Sequence, residues 1–264
     1  YLVNSGQDQI DSIAVLPFVN ESANADVDYL SDGMTEALIN TLAQLPNLSV
    51  KPRSTVFRYK GRESEVKTIG RELEVRAVLN GRFVQRGDDI ALFLSLIDTG
   101  TGNQIWGKQY NRKLTGLVSL QSEVARDVSE SLVPKLSEAD EQKLAKSYTE
   151  NSEAYQLYLR GRYHWNKFTV EERQKALQSF EQAIAVDPNY ALAYTGLADT
   201  YTVMSFSSNE MIVKAKDAAL KAVSLDDSLA EAHSALGFVL YARQFDFSGA
   251  EREYKRAIEL NPKY

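Results

Sequence analysis

The sequence predicts an α/β domain followed by an all-α array of helical repeats. Strand and helix patterns alternate over roughly the first half of the 264 residues, whereas the second half is helical throughout and repeats itself. Hydrophobic residues make up 44% and charged residues 25%, which is typical of soluble globular domains. We therefore expect an α/β domain over residues 1–136, a helical linker over 137–150 and about three repeats over 151–264.

The α/β part predicts the element order β-α-β-α-β-β-β-α. Its first strand is expected over Ser12–Phe18, a short apolar run that ends at Pro17. An amphipathic helix that ends at Pro46 is then predicted by four apolar residues at intervals of four. These are Leu30, Met34, Leu38 and Leu42. Ser31 and Asp32 occupy its expected N-cap. A second strand over Leu48–Lys51 and a short helix follow. The apolar side of that helix is formed by Val66, Ile69 and Leu73.

Three consecutive strands with tight turns predict an antiparallel meander, so the sheet as a whole should be mixed. These strands are expected at Ala77–Gln85, Ile90–Ile97 and Gln104–Tyr110. The connections are rich in glycine and aspartate, which tolerate the backbone angles of hairpin turns. Asp88-Asp89 is one such turn rather than a catalytic carboxylate pair. A final helix over residues 117–132 completes the domain.

The second half contains three segments with the same succession of apolar and small residues. These are Ala176–Pro188, Ala215–Asp227 and Ala250–Pro262. Successive segments are 39 and 35 residues apart, and each is preceded by a further helical pattern. This is the tetratricopeptide (TPR) pattern of a helix–turn–helix unit of about 34 residues. It predicts an all-α TPR superhelix that is truncated at its C-terminal end, with further units following.

The first helix of each repeat is expected to line a concave surface that binds a protein or peptide partner. We call this surface the first-helix face. The repeat spacing places on it Tyr155, Tyr158, Arg162, Trp165, Leu192, Thr195, Asp199, Thr202, Ser234, Phe238 and Tyr241. The alternative is that several of these side chains pack against the insertions or the α/β domain. Self-association is also left open.

No catalytic constellation, metal site or cofactor site is predicted. The chain has no cysteine, only two histidines and no phosphate-binding glycine loop. His233 fills a slot that usually takes a packing aromatic, and His164 is expected at the surface or in packing. The acidic residues Asp26, Asp28 and Asp32 lack the spacing of a calcium loop.

Charge is unevenly distributed along the α/β domain, although the whole chain has a net charge of only −6. Residues 1–50 hold seven acidic side chains and no lysine or arginine, whereas residues 51–86 hold ten basic side chains and four glutamates. One interpretation is that the two segments are neighbours in the domain whose opposite charges neutralise each other. The other is that the basic segment forms a face that binds an acidic partner or a lipid headgroup. The acidic overall balance argues against nucleic-acid binding by this region.

The N-terminal half resembles the TolB-like N-terminal domain over about residues 10–136. The resemblance rests on SIAVLPF at Ser12–Phe18 and YLSDGMTE at Tyr29–Glu36. It continues in the segments Ile69–Leu73, Val78–Gly81, Leu96–Gly102 and Ile105-Trp106. In that family the domain commonly precedes TPR arrays in bacterial signalling proteins, and no catalytic residues are carried over.

The resemblance implies a region on the extracytoplasmic, periplasmic side of the inner membrane, with a membrane tether before Tyr1. A cytoplasmic location stays open. The linked output module would be a CadC-like winged-helix DNA-binding domain, an adenylate or guanylate cyclase, or a kinase. We therefore expect a non-enzymatic sensory or interaction region. The alternatives are an envelope scaffold without a signalling role and a nucleotide-binding α/β domain.

Overall fold

The computed structural model describes residues 10–22, 24–62, 64–133, 136–205 and 209–263. The chain divides into two compact units, unit 1 at Tyr1–Lys146 and unit 2 at Ser147–Tyr264. Unit 1 has a mixed sheet and unit 2 is helical wherever it has regular structure in the described ranges.

The strands of unit 1 are β1 Ser12–Val15, β2 Val19–Asn20, β3 Ser49–Val50, β4 Ala77–Arg86, β5 Asp89–Asp98 and β6 Gln104–Lys113. Its helices are α1 Asp28–Ala43, α2 Arg53–Val56, α3 Val66–Leu73, α4 Leu117–Leu132 and α5 Glu138–Ala145. The order of the main path through the sheet is β3-β1-β4-β5-β6, and β2 pairs separately with β4. The pairs β1–β3, β1–β4 and β2–β4 are parallel, whereas β4, β5 and β6 form an antiparallel meander.

Helices cover the two faces of this sheet unequally. On one face, α1 and α4 pack against each other, and they contact β1 and β6 respectively. They bury the alternate positions of β5, which include Leu92 and Leu96. On the other face lies α3, where Gly70 closely approaches Thr99 at the β5–β6 turn. Much of the meander is therefore left uncovered by helices of unit 1 on the side of α3.

Helix α1 begins earlier than the sequence predicts. Ser31 and Asp32 are not its N-cap, because a 3₁₀ turn over Ala25–Val27 leads directly into a helix that starts at Asp28. The hydroxyl of Ser31 donates to the carbonyl of Asp28 at 3.0 Å, which is an interaction inside a helix. Both predicted cap residues are buried.

The predicted linker contains a helix that belongs to unit 1. Helix α5 packs against α4 and α1 and buries Leu144. Ser137 caps it, because its hydroxyl accepts from the backbone N–H of Asp140 at 3.2 Å while the Asp140 carboxylate accepts from the N–H of Ser137. This reciprocal capping box fixes the start of the helix.

Unit 2 consists of three antiparallel helix pairs. They are α6 Ser152–Trp165 with α7 Val170–Val186, α8 Ala191–Met204 with α9 Asn209–Leu225, and α10 Ala230–Val239 with α11 Phe247–Leu260. A π-helical turn over Leu240–Gln244 extends α10. The largest contacts in the unit are those within each pair, followed by contacts between successive pairs. These pairs are TPR-like units, in agreement with the predicted repeats, and their superhelical arrangement stays a prediction.

Small residues let the helices of unit 2 approach closely. A Cβ atom added at Gly161 on α6 or at Gly196 on α8 would collide with the ring of Phe180 on α7. The ring of Phe180 therefore fills the space beside Gly161 in its own helix pair and beside Gly196 in the next pair. The second and third pairs share an alanine-rich core, to which Ala198, Ala219 and Ala235 belong.

Candidate functional site

The first-helix face in the structure is formed by side chains of α6, α8 and α10. Three of the eleven residues predicted for it do not reach the surface. Tyr155, Thr195 and Thr202 are buried, with 5%, 6% and 0% of their surface exposed. The hydroxyls of Thr195 and Thr202 donate to the carbonyls of Leu192 and Ala198 in their own helix, each at 2.7 Å. These three side chains pack inside unit 2, which leaves little or none of their surface for a partner, and the set of partner-binding residues stays a prediction.

Two further predicted residues are half-buried and pack within unit 2. The ring of Tyr158 lies 5.9 Å from that of Phe180 and 5.2 Å from that of Tyr190, centroid to centroid. Leu192 packs against a small core that includes Ala222 and Leu229. These contacts leave only part of each side chain for a partner.

The remaining six predicted residues keep surface that a partner can reach. Five of them are half-buried, namely Arg162, Trp165, Asp199, Ser234 and Phe238. Tyr241 is 55% exposed and its ring lies 5.9 Å from that of Phe247. The six combine aromatic, cationic, anionic and hydroxyl groups, which suits the recognition of a peptide segment.

Asp199 is the acidic residue among the six, and Arg162 is the basic one. Its carboxylate forms no hydrogen bond or ion pair within the described residues. Burial raises its pKa to about 6, and the nearby positive charge of Arg162 on α6 acts in the opposite direction. A half-buried carboxylate without a direct partner can accept hydrogen bonds or a positive charge from a ligand.

Tyr254 on α11 was missed by the sequence analysis. Burial raises the pKa of its phenol, and the charges of Asp199 and Tyr241 act in the same direction, so Tyr254 lies near both residues. It occupies the repeat position that Phe180 and Ala219 occupy in the other two pairs. Like those residues it packs, because its ring lies against Gly237 and the alanine-rich core, and its phenolic hydroxyl is the feature of the sequence that sets it apart.

Both histidines form polar contacts between helices. His233 is buried, as its packing slot predicts, but its Nδ1 lies 2.8 Å from Oε2 of Glu253 and its Nε2 lies 3.1 Å from the carbonyl oxygen of Asp227. His164 Nδ1 lies 2.7 Å from Oε2 of Glu172. Glu172 also binds Lys175, and these contacts lower its pKa to about 2. The histidines therefore connect first helices to second helices.

Two of the acidic residues near the start of α1, Asp28 and Asp32, also have protein partners. Asp28 accepts a hydrogen bond from the side chain of Asn20 at 2.7 Å, and Asp32 binds Lys60. Burial raises the pKa of Asp32, whereas Lys60 opposes that shift. Within the described ranges, no group of three or more histidine, aspartate and glutamate side chains is arranged to hold a metal ion.

Sequence comparisons relate the chain to bacterial regulatory proteins. Residues 8–109 match the family described as HilA/YgeH-like transcriptional regulator, second domain. The chain is 31% identical over 241 residues to "Putative adenylate cyclase 3" of Rhizobium meliloti (strain 1021), an alignment that covers 89% of this chain and 41% of that protein. It is also 33% identical over 87 residues to "Transcriptional regulator HilA" of Salmonella typhimurium, which covers 31% of this chain and 16% of the regulator.

The chain thus spans less than half the length of either relative. Among solved structures, the first TPR of Spaghetti (RPAP3) bound to an HSP90 peptide is similar, with 22% identity and a TM-score of 0.37. That alignment covers 42% of this chain and 84% of the other. The TolB-like and CadC-like assignments stay predictions. None of the helices in the described ranges has both the length and the apolar character needed to cross a membrane.

Proposed function

We propose that this chain is a non-catalytic sensory or protein-interaction region of a bacterial signalling protein, and that it binds a peptide or protein partner along the first-helix face. The observation that carries the proposal is the group of six accessible residues on α6, α8 and α10, centred on Asp199. Asp199 has no direct partner within the described residues, and Phe238 and Tyr241 offer aromatic surface on α10, which packs against α8, and on its π-helical extension. A peptide with a basic and an apolar side chain would complement these groups.

The similarity to a cyclase and to a transcriptional regulator supports a regulatory role. In this proposal, the region relays partner binding to an output module elsewhere in the full-length protein, and it contributes no catalytic residue itself. We place it on the extracytoplasmic side of the inner membrane, with the tether before Tyr1. The family resemblance of the N-terminal half motivates that location.

A binding experiment tests the first-helix face directly. Peptides selected from a random library against the 264-residue chain should lose affinity for the double variant Phe238→Ser/Tyr241→Ser. The matched control is Val213→Ser/Leu220→Ser, which removes two exposed apolar side chains from α9. Titration calorimetry should show unchanged affinity for the control. Equal binding by both variants would exclude the first-helix face as the peptide site.

The signalling role needs the full-length protein in its host. Deletion of residues 151–264 should abolish the response of the output module, and the double variant Phe238→Ser/Tyr241→Ser should weaken it. A deletion protein that still responds normally would show that the repeats are not the input.

A further inference from the structure

The uncovered side of the meander in unit 1 carries a depression that has two parts. One part has a volume of about 1160 Å³ and the other about 630 Å³, and both are lined by Phe93 on β5 and Gln109 on β6. Because the two parts share these residues, they adjoin along β5 and β6, and we treat them together as one surface. We call it the sheet trough and define it by Arg62, Asn80, Arg82, Arg86, Phe93 and Gln109.

Strand register places these side chains on one face. Arg82 pairs with Phe93 across β4 and β5, and Phe93 pairs with Gln109 across β5 and β6. The neighbouring positions Leu92 and Leu94 point to the opposite face, where they are buried. Described residues between α2 and α3 also line the trough, and Arg62 is one of them.

The lining of the sheet trough is predominantly basic. Its basic side chains are Arg62, Arg82, Arg86 and Lys113, and its acidic ones are Glu65 and Asp89. Lys108 and Arg112 also border it, but strand register turns their side chains toward α4, where they pair with Asp127 and Glu123. Several of the cations already have partners. Lys108 lies 2.6 Å from Asp127, and Lys113 lies 2.6 Å from Asp89.

Arg62 and Arg86 differ from these paired cations. Neither guanidinium has an ion-pair partner within the described residues, and Arg62 lines the larger part of the trough whereas Arg86 lines the smaller. Arg82 has a partner in Glu21, but at 3.5 Å and with both side chains largely exposed. Such a pair contributes little and is readily exchanged for another anion.

The trough also offers an apolar contact, and one of its polar lining atoms is buried without a partner among the described residues. The guanidinium of Arg82 lies 5.0 Å from the centroid of the Phe93 ring. The side-chain oxygen of Asn80 has no hydrogen-bond partner in the described part of the chain.

The length of the trough indicates what kind of anion fits. Six residue steps separate Asn80 from Arg86 on β4, which corresponds to about 20 Å at about 3.3 Å per residue. An extended peptide of about six residues has this length. It also supplies N–H donors, apolar side chains and separated carboxylates, whereas a phosphate or a lipid headgroup supplies only the anionic charge.

We propose that the sheet trough binds an extended acidic peptide segment of a partner protein, whose carboxylates pair with Arg62 and Arg86 and whose central apolar side chain contacts Phe93. This surface lies entirely within unit 1 and is independent of the first-helix face. It also gives a role to the part of the basic segment 51–86 that the acidic segment 1–50 does not neutralise.

Selection of peptides tests the proposal. A phage-displayed library of random dodecapeptides is selected against the 264-residue chain that carries Phe238→Ser/Tyr241→Ser, so that the first-helix face is disabled. We expect the enriched peptides to have acidic residues on both sides of an apolar residue. Fluorescence anisotropy should show that Arg62→Glu/Arg86→Glu binds them at least about tenfold more weakly, and that Phe93→Ala also weakens binding.

The matched control is Arg126→Glu/Lys143→Glu, which changes the net charge equally at exposed positions of α4 and α5. It should bind the selected peptides with unchanged affinity. Circular dichroism checks that all variants remain folded. Equal weakening in the control, or enrichment of peptides without acidic residues, would overturn the proposal. So would equally tight, Arg62- and Arg86-dependent binding of inorganic polyphosphate or phosphatidylglycerol vesicles, because the site would then recognise charge alone.

Discussion

Lys60 donates hydrogen bonds to both carboxylate oxygens of Asp32, each at 2.7 Å, although Asp32 lies inside helix α1. The side chain of Asp32 is only 8% exposed. A second pair joins Arg53 to Glu36 of the same helix at 2.9 Å. In these pairs the basic and acidic segments of the sequence are neighbours that neutralise each other, as one of the two interpretations of the charge pattern predicts.

We predict that Lys60→Met lowers the free energy of unfolding of unit 1 by about 1–3 kcal/mol at pH 8, because it leaves a buried carboxylate without its counter-charge. The loss should be smaller at pH 4.5, since burial raises the pKa of Asp32 and a protonated carboxyl needs no counter-charge. Denaturation is followed by the fluorescence of Trp106 in a Trp165→Phe background. Lys143→Met serves as the control, and an equal loss at both pH values would contradict the prediction.

Asp199→Asn should stabilise unit 2 at neutral pH. The pKa of Asp199 is raised from 3.8 to about 6 by burial, so the folded state holds the proton more tightly than the unfolded chain does. Stability should therefore fall by about 1–3 kcal/mol as the pH rises from about 4 through 6, and the asparagine variant should avoid this loss. Urea unfolding, followed by Trp165 in a Trp106→Phe background, measures it. If the difference in stability between Asp199→Asn and the unmodified chain does not change with pH, the raised pKa of Asp199 is contradicted.

His233→Phe distinguishes packing from polar contacts. If the position required only a large aromatic, phenylalanine would be tolerated. Because Glu253 and the carbonyl of Asp227 both contact the imidazole, we expect a loss of about 1–3 kcal/mol in the free energy of unfolding of unit 2. The double variant His233→Phe/Glu253→Leu should recover part of the loss. Thermal unfolding measures the stability of both variants. If His233→Phe alone leaves the stability unchanged, the position requires only packing.

Gly161→Ala should destabilise unit 2 by about 1–3 kcal/mol, although alanine favours helices more than glycine does, because its methyl group collides with Phe180. Phe180→Leu provides the compensating change. The effect of Gly161→Ala should shrink or reverse in the leucine background, as chemical denaturation of the four proteins of the cycle would show. If Gly161→Ala destabilises unit 2 equally in the Phe180→Leu background, the collision with the Phe180 ring is not the cause.

Local periodicity predicted the elements that depend on neighbouring residues. The helix at residues 117–132 and the meander follow directly from apolar spacing and turn residues, and the repeat phase follows from the recurring alanines. The predicted N-cap of α1 was wrong because the helix starts at Asp28, directly after a 3₁₀ turn. That turn has no pattern of apolar residues by which the sequence could have indicated it.

The candidate surfaces were harder to predict because they depend on contacts between distant residues. Thr195 and Thr202 have the spacing of the first-helix face, but threonine can satisfy its hydroxyl within its own helix and so be buried at little cost. Tyr254 reaches the same region from a second helix. The sheet trough combines residues from three strands and a loop, and only strand register places Arg82 beside Phe93.

The ring of Phe180 fills the space beside both Gly161 and Gly196, and this has a consequence for how unit 2 opens. Separation of α6 or α8 from α7 would expose the same aromatic ring, so neither opening is energetically independent of the other. The first two helix pairs should therefore exchange their most protected amide hydrogens together, as one cooperative block. A ligand that restrains α6 would then also slow exchange in α8, even where it does not touch that helix.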